Sequence, residues 1–363
     1  MNIRLMKTID GLLGRTLTRL LPVPADTAGQ PLPQSILLIR PGGIGDAVLL
    51  APALLRLKQS HPNATITILA ERRNASIFAL IPVVDQVFCY DRPSEFLAVV
   101  RDSYDAVIDT EQWHRLSAVV ARLIRAPIKI GFTTNERRRM FTHTVPYSHD
   151  DHETESFLRL VGTLCIEATT TTHLVAPFLT IPEQVQSRTR KLLEPLQSKP
   201  YLVIFPGASV AERRWGAENF RAVARLLADT GLLIVVVGSS VDQQDAVIIA
   251  ENLGISLAGT TTLAEAAAVI AGAALFISAD SGLLHIAVAL DVPTVSLFGP
   301  GIAAKWAPHG DKHRIINHNL LCSPCTRFGT TPPCPHHVRC MQEVTPIEVV
   351  EAVMQLISAN LAR

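Results

Sequence analysis

The sequence contains no apolar run approaching the roughly 20 residues that a membrane-spanning helix needs. Its first residues also lack the continuous apolar core and cleavage site of a secretory signal. A cytoplasmic protein is the expectation. Excess charge is missing as well: 33 Lys and Arg stand against 32 Asp and Glu, so bulk electrostatics give a nucleic-acid partner no support. The glycine signatures of nucleotide folds are incomplete. There is no phosphate-loop lysine motif, and the dinucleotide fingerprint fails because Val48 occupies the third glycine position after Gly43-Ile44-Gly45. Cysteine is scarce. Six in 363 residues do not make a disulfide scaffold, and Cys89 and Cys165 stand alone in apolar surroundings as ordinary core thiols.

What is present is 48% hydrophobic content over a length that suggests two α/β domains. Residues 1 to about 22 read as an amphipathic helix, with Leu5, Ile9, Leu12, Leu13, Leu17, Leu20 and Leu21 opposite Arg4, Lys7, Arg15 and Arg19. That face either lies on an anionic membrane surface or packs on the protein or another subunit. A proline-rich linker follows to residue 34. From Ser35 the rhythm is strand, helix, strand, helix: runs at 36–39, 65–69, 86–89 and 106–109 are β-rich, with helical patterns at 49–59, 75–80 and 117–124. It restarts at Tyr201, with strands at 201–205, 232–237, 255–257, 275–278 and 294–298. Such alternation predicts doubly wound parallel sheets. The expected division is 1–34, a first domain 35–165, a connection 166–200, a second domain 201–343 and a closing helix 344–363, with the two sheets facing a central cleft.

Ligands of such sheets lie beyond the carboxyl ends of the strands, so the loops there carry the chemistry. After the first strand comes Arg40-Pro-Gly-Gly-Ile-Gly-Asp46. Its glycines allow a sharp turn and close approach, and Asp46 at a helix mouth repels phosphate rather than cradling it. Asp46 is therefore either a general base or an N-cap. Asp109-Thr110-Glu111 emerges at the same edge. The basic loop Arg137-Arg138-Arg139 suits an anionic substrate or is a solvated turn. In the second domain, Gly207-Ala208-Ser209 with Arg213 and Arg214, and Ser281-Gly282 at a helix start, are two places able to hold a diphosphate through N–H donors and a guanidinium. Asp242 is either a ribose partner or a helix cap. Cys322, Cys325, Cys334 and Cys340, with His336 and His337 between them, have the make-up of a tetrahedral Zn or Fe site, although their spacing is irregular.

Pro41-Gly-Gly-Ile-Gly-Asp46 with the following Leu49-Leu-Ala-Pro52, Pro206-Gly-Ala-Ser209 with Arg213-Arg-Trp215, and Asp280-Ser-Gly-Leu-Leu-His285 with Leu297-Phe-Gly-Pro300 resemble the ordered motifs of the bacterial lipopolysaccharide heptosyltransferase family. The resemblance covers nearly all of the chain beyond residue 34. It implies the GT-B fold and metal-free, inverting transfer of heptose from ADP-heptose to the anionic lipopolysaccharide inner core. By this likeness Asp46 is the base, with Gly45 and Arg137 to Arg139 on the acceptor side, and Ser209, Arg213, Asp242, Asp280, Ser281, Gly282 and Leu283 form the donor site. His285 supports the phosphate site or packs behind it. Arg213 stands where the family usually has lysine, and Gly216 where it usually has proline. A cysteine segment occurs in part of the family, and one branch that glycosylates autotransporter proteins is associated with an iron-bound cluster. A structural metal, a protein acceptor and a non-catalytic relative are the alternatives this leaves open. Contact with the cytoplasmic face of the inner membrane through the N-terminal helix is a further expectation.

Overall fold

The computed structural model describes residues 9–25, 32–165, 175–327 and 329–361. The chain divides into two compact units, Met1–Val175 and Ala176–Arg363. In the first, Ser35–Arg40 (β1) is apolar through Ile39 and buried from Ile36 onward, as a strand covered on both faces must be. It pairs in parallel with Thr65–Ala70 (β2) on one side and Ala106–Asp109 (β4) on the other. Gln86–Cys89 (β3), Ile128–Phe132 (β5) and His143–Val145 (β6) complete a sheet of order β3-β2-β1-β4-β5-β6. The helices between the strands are Ile44–Leu49 (α2), Ala51–Ser60 (α3), Arg72–Phe78 (α4), Pro93–Arg101 (α5) and Arg115–Leu123 (α6), and Glu153–Gly162 (α7) follows the last strand.

The second unit repeats the plan. Glu183–Leu193 (α8) precedes Tyr201–Phe205 (β7), Leu233–Val236 (β8), Gly254–Ser256 (β9), Leu275–Ala279 (β10), Thr294–Leu297 (β11) and His313–Ile316 (β12). The order β12-β11-β10-β7-β8-β9 is the first sheet's order read in the opposite direction. Ala217–Leu226 (α9), Gln243–Ala250 (α10), Leu263–Ala271 (α11), Gly282–Ala289 (α12), the short Ala303–Trp306 (α13) and Arg339–Gln342 (α14), and the closing Pro346–Leu361 (α15) fill the connections. Local chemistry sets several of their starts. The Thr262 hydroxyl accepts from the Glu265 N–H while Glu265 accepts from the Thr262 N–H, a capping box that opens α11. Thr345 and Glu348 do the same for α15.

In each sheet the first strand lies beside the fourth, so the connections leave β1 and β4, or β7 and β10, in opposite directions. This is the topological switch point at which loops part to form a crevice. Of the segment read as a connection, residues 166–174 lie outside the described residues, and 183–193 is α8 of the second unit. The helix expected over residues 1–22 is described over Asp10–Gly14 as a π-helical turn and Arg15–Leu20 (α1), with residues 1–8 outside the description. It is docked on the first unit: the buried Asp10 carboxylate accepts from the N–H groups of Arg115 and Leu116, both at 2.8 Å, at the opening of α6. Leu12, Leu13 and Leu20 stay exposed.

Candidate functional site at the strand ends

At the end of β1 the chain turns through Gly42, at φ +105°, into α2. The N-cap of α2 is Gly43, so Asp46 lies one turn into the helix and is not the capping residue. Its side chain is about a third exposed, and Oδ2 lies 3.8 Å from Nη2 of Arg40. Arg40 is buried. Its Nε donates to the Pro41 carbonyl at 2.7 Å, its Nη1 donates to the Thr110 carbonyl at 2.9 Å, and its guanidinium lies 5.6 Å from the Phe157 ring centre. Nη2 also faces Glu111 Oε2 at 3.7 Å. Burial works to raise the Glu111 carboxyl, but Arg40, His114, Arg137 and the Trp113 N–H outweigh it and keep the group below the ordinary carboxylate value. The loop is braced from the neighbouring strand. Glu71 accepts from the Gly42 N–H, and Asn74 donates to the Arg40 carbonyl. Tyr147 donates to Glu153, and burial, then Glu153 and Asp46, raise its phenol so that it stays protonated.

The basic loop does not present three cations. Arg138 and Arg139 are exposed, but Arg137 is wholly buried, pairs with the equally buried Asp109 and donates to the Glu111 carbonyl. Its guanidinium also stacks 5.4 Å from the Phe141 ring centre. The reading of Arg137 as an acceptor-facing cation is therefore corrected: its charge is spent on the buried Asp109 carboxylate at the end of β4, whose ionised form it favours against burial.

In the second unit β7 ends in Pro206-Gly207-Ala208-Ser209 and β10 ends in Asp280-Ser281-Gly282. Ser209 is exposed, whereas Asp280 is buried, and the two loops are linked by Arg213, whose Nη1 lies 2.8 Å from Asp280 Oδ2. The pair is close but not aligned as a hydrogen bond, since Asp280 Oδ2 and Arg213 Nε both lack a hydrogen-bond partner. Burial pushes the Asp280 carboxyl up while Arg213 pulls it down, with burial the larger effect. Gly301 closes against this carboxylate, and a Cβ there would sit 2.3 Å from Oδ2. Ser281 caps α12, its hydroxyl accepting from the Leu284 N–H at 3.2 Å. Gly282 is partly exposed at the first position of α12, and Leu283 is buried beside it. His285 is buried one turn on, and burial followed by the Arg213 charge lowers its imidazole to about 4, so it is neutral near pH 7.

Of the two readings of Asp242, the geometry displays the capping one. Its Oδ2 accepts from the Ser239 N–H and hydroxyl at 3.0 and 2.8 Å in a capping box, and its Oδ1 accepts from Arg214 at 2.9 Å. Gly207 and Gly238 make room for it, since a Cβ at either would fall within 3 Å of the side chain. Asp242 therefore ties the end of β7 to the end of β8. Gly216, at φ +100°, explains its own departure from the expected proline, because a proline ring fixes φ near −65° and cannot enter that conformation. The neighbouring Trp215 is buried and donates to the Val344 carbonyl at 3.0 Å, anchoring the Arg213 turn in the core.

The four-cysteine metal centre is not assembled. Among the described residues no group of three or more His, Cys, Asp or Glu side chains is arranged to hold a metal ion. Cys322 is exposed, Cys325 and Cys334 are half-buried, and Cys340 packs against Gly299. Burial, then the neighbouring thiols, raises the Cys325 and Cys340 thiols, so these cysteines lie near enough to feel one another's charge. The segment has another use. The N–H groups of Cys325 and Thr326 donate to the Pro300 carbonyl at 3.1 and 2.9 Å, holding the Gly299-Pro300-Gly301 turn against Asp280.

Arg40, Glu111 and Arg214 lie in loops that the sequence marks, but pattern reasoning gives Arg40 and Glu111 no role of their own. Arg40 reads as the opening of the glycine turn, and Arg214 beside Arg213 as a guanidinium for a diphosphate. Only their long-range partners reveal what they do.

Known proteins share this arrangement. A family model for glycosyltransferase family 9 (heptosyltransferase) matches residues 96–334. Lipopolysaccharide heptosyltransferase 3 of Escherichia coli K12 is 29% identical over 289 residues, covering 73% of this chain and 82% of the relative. Lipooligosaccharide heptosyltransferase 2 of Haemophilus ducreyi is 25% identical over 355 residues, covering 89% of this chain and 99% of the relative. Among solved structures, E. coli ADP-heptose lipopolysaccharide heptosyltransferase II superimposes with a TM-score of 0.73 at 23% identity, over 90% of this chain and 99% of that one, a likeness that shows the two-domain GT-B fold. With a matched segment that runs through β4 to β12 and covers more than half its length, the chain belongs to glycosyltransferase family 9, the heptosyltransferases.

Proposed function

We propose that the protein is an inverting glycosyltransferase that moves heptose from ADP-heptose to the anionic inner core of lipopolysaccharide, with Asp46 as general base. The observation that carries the reading is Asp46 itself: a partly exposed carboxylate beyond the carboxyl end of β1, at the switch point, facing a buried guanidinium. The names of the relatives supply the sugar and the acceptor class. As the acceptor hydroxyl oxygen bonds to the anomeric carbon, its proton passes to Asp46. The bond from that carbon to the diphosphate oxygen breaks, and its electron pair leaves with ADP. Asp46 then returns the proton to solvent.

Leaving-group charge is the task of the second unit. The N–H groups of Gly282 and Leu283 at the opening of α12, the exposed Ser209 and the Arg213 guanidinium are the donors proposed for the diphosphate. Arg138 and Arg139 are the exposed cations proposed for the acceptor's negative groups, with Gly45 allowing close approach beside Asp46. No helix is long and apolar enough to cross a membrane among the described residues. We place the enzyme in the cytoplasm, with the exposed leucines of the N-terminal helix toward the inner membrane surface.

The test is transfer from ADP-heptose to a truncated core, followed by the mass of the acceptor, with wild type and Asp46→Ala compared. A one-heptose gain that falls by about 10²- to 10⁴-fold in the variant is expected for loss of a general base. An undiminished gain would remove Asp46 from that role. No gain with wild type, while a protein acceptor is labelled, would replace the acceptor.

A further inference from the structure

We propose that Arg40 is the positioning residue of this site: its guanidinium, locked from behind, keeps the Asp46 carboxylate ionised and turned to receive the acceptor's proton. The inference rests on the reading of Asp46 as the base. Arg40 sits at the last position of β1, where the strand pattern asks only for another core residue, yet it is 1% exposed and charged. Such a cation is costly to bury and is tolerated only with its donors satisfied. Three of its contacts fix it in place: the Pro41 carbonyl at 2.7 Å, the Thr110 carbonyl at 2.9 Å and the face of Phe157. They leave Nη2 pointing at two carboxylates, Asp46 at 3.8 Å and Glu111 at 3.7 Å.

Both distances exceed a hydrogen bond. Arg40 therefore acts on Asp46 by charge and does not itself consume the lone pair that must take a proton. Because the guanidinium is already immobilised and shielded from water, the interaction escapes the entropy cost and screening that weaken surface pairs. Gly42 completes the arrangement, since the ideal Cβ position there lies 3.2 Å from Nη2.

The sharing of one cation by two carboxylates makes opposite predictions for the two partners. Other groups near Asp46 are Tyr147, bonded to Glu153 of α7, and Glu71, which binds the Gly42 N–H and pairs with Arg73 of α4. None of these is altered in the variants that follow.

The experiment measures single-turnover transfer rates and donor KM from pH 5 to 9 for wild type, Arg40→Gln, Arg40→Lys, Glu111→Gln and Asp46→Ala. Arg40→Gln should lower the rate at least about tenfold and move the acid limb up by about one pH unit, with donor KM little changed. Arg40→Lys, which restores the charge, should bring the limb back. Glu111→Gln should move it to lower pH, because Asp46 no longer shares the cation. Its amide oxygen can still accept from the Trp113 and His114 N–H groups, so this variant carries the test if Arg40→Gln does not fold. Coincident limbs in all three, with Asp46→Ala inactive, would reduce Arg40 to a structural filler and leave the base standing. Full activity in Asp46→Ala would overturn both readings at once.

Discussion

Gly42 carries two demands that no other residue meets. Its φ of +105° lies where side chains with a Cβ are strained, and an added Cβ would press on the Arg40 guanidinium at 3.2 Å. Gly42→Ala should lower the stability of the first unit by about 1–2 kcal/mol, read as a shift of the urea midpoint at unchanged slope. His285 makes a pH prediction. Its imidazole is lowered to about 4 in the fold from an ordinary 6.5, so on acidification the unfolded chain takes up the proton first. Stability should therefore fall as pH drops from 6.5 toward 4, by up to about 1.4 kcal/mol per unit, and level off below. His313, also lowered to about 4 chiefly by burial, adds a parallel loss. Urea midpoints at several pH values should show a shallower acid dependence in His285→Gln, with the His313 share remaining.

Between elements, the consequential bonds cross from one strand end to another. The Arg137 pair with Asp109 joins the 3₁₀ turn Glu136–Met140 to the end of β4 with both side chains wholly buried. Arg137→Met would strip the buried Asp109 of its counter-charge, so that the carboxyl must ionise without it or take up a proton, at a cost of about 3–5 kcal/mol, whereas Arg138→Met should leave the thermal midpoint almost unchanged because that side chain is exposed. Comparing the two melting curves separates a fold-supporting arginine from its surface neighbour. At the N-terminus, Asp10 accepts from two N–H groups at the start of α6. Asp10→Ala should release the helix from this dock and cost about 1–2 kcal/mol, visible as faster hydrogen exchange at Arg115 and Leu116.

At the scale of the whole molecule, two units have the same strand order from unrelated local sequences, and in both the chemistry-bearing loops leave the first and fourth strands. Much of this was legible in the chain. The interior strands announce themselves as short apolar runs because both faces are covered, and the glycine loops follow directly. The strands that escaped notice are those whose pattern is broken for tertiary reasons. In β5, Lys129 is buried so that its amine can bond the carbonyls of Ala121 and Ile124, and Gly131 is bare because Phe141 lies where a Cβ would stand. β12 carries His313 and Arg314 at the edge of the sheet.

The sequence by itself determined the α/β alternation, the position of Asp46 just beyond the first strand, and the Ser209 and Ser281 loops, because each follows from hydrophobic period and backbone freedom within a few neighbouring residues. Only the tertiary structure decided which charges are available. Arg137 is spent on a carboxylate 28 residues away, and Arg40 is held by a carbonyl 70 residues away. Asp242 is divided between its own cap and Arg214. Cys325 and Thr326 brace a turn through their N–H groups, and the described residues gather no metal-ligand set. Periodicity is local, whereas the pairing of buried charge depends on which distant groups the folded chain brings within a few ångströms.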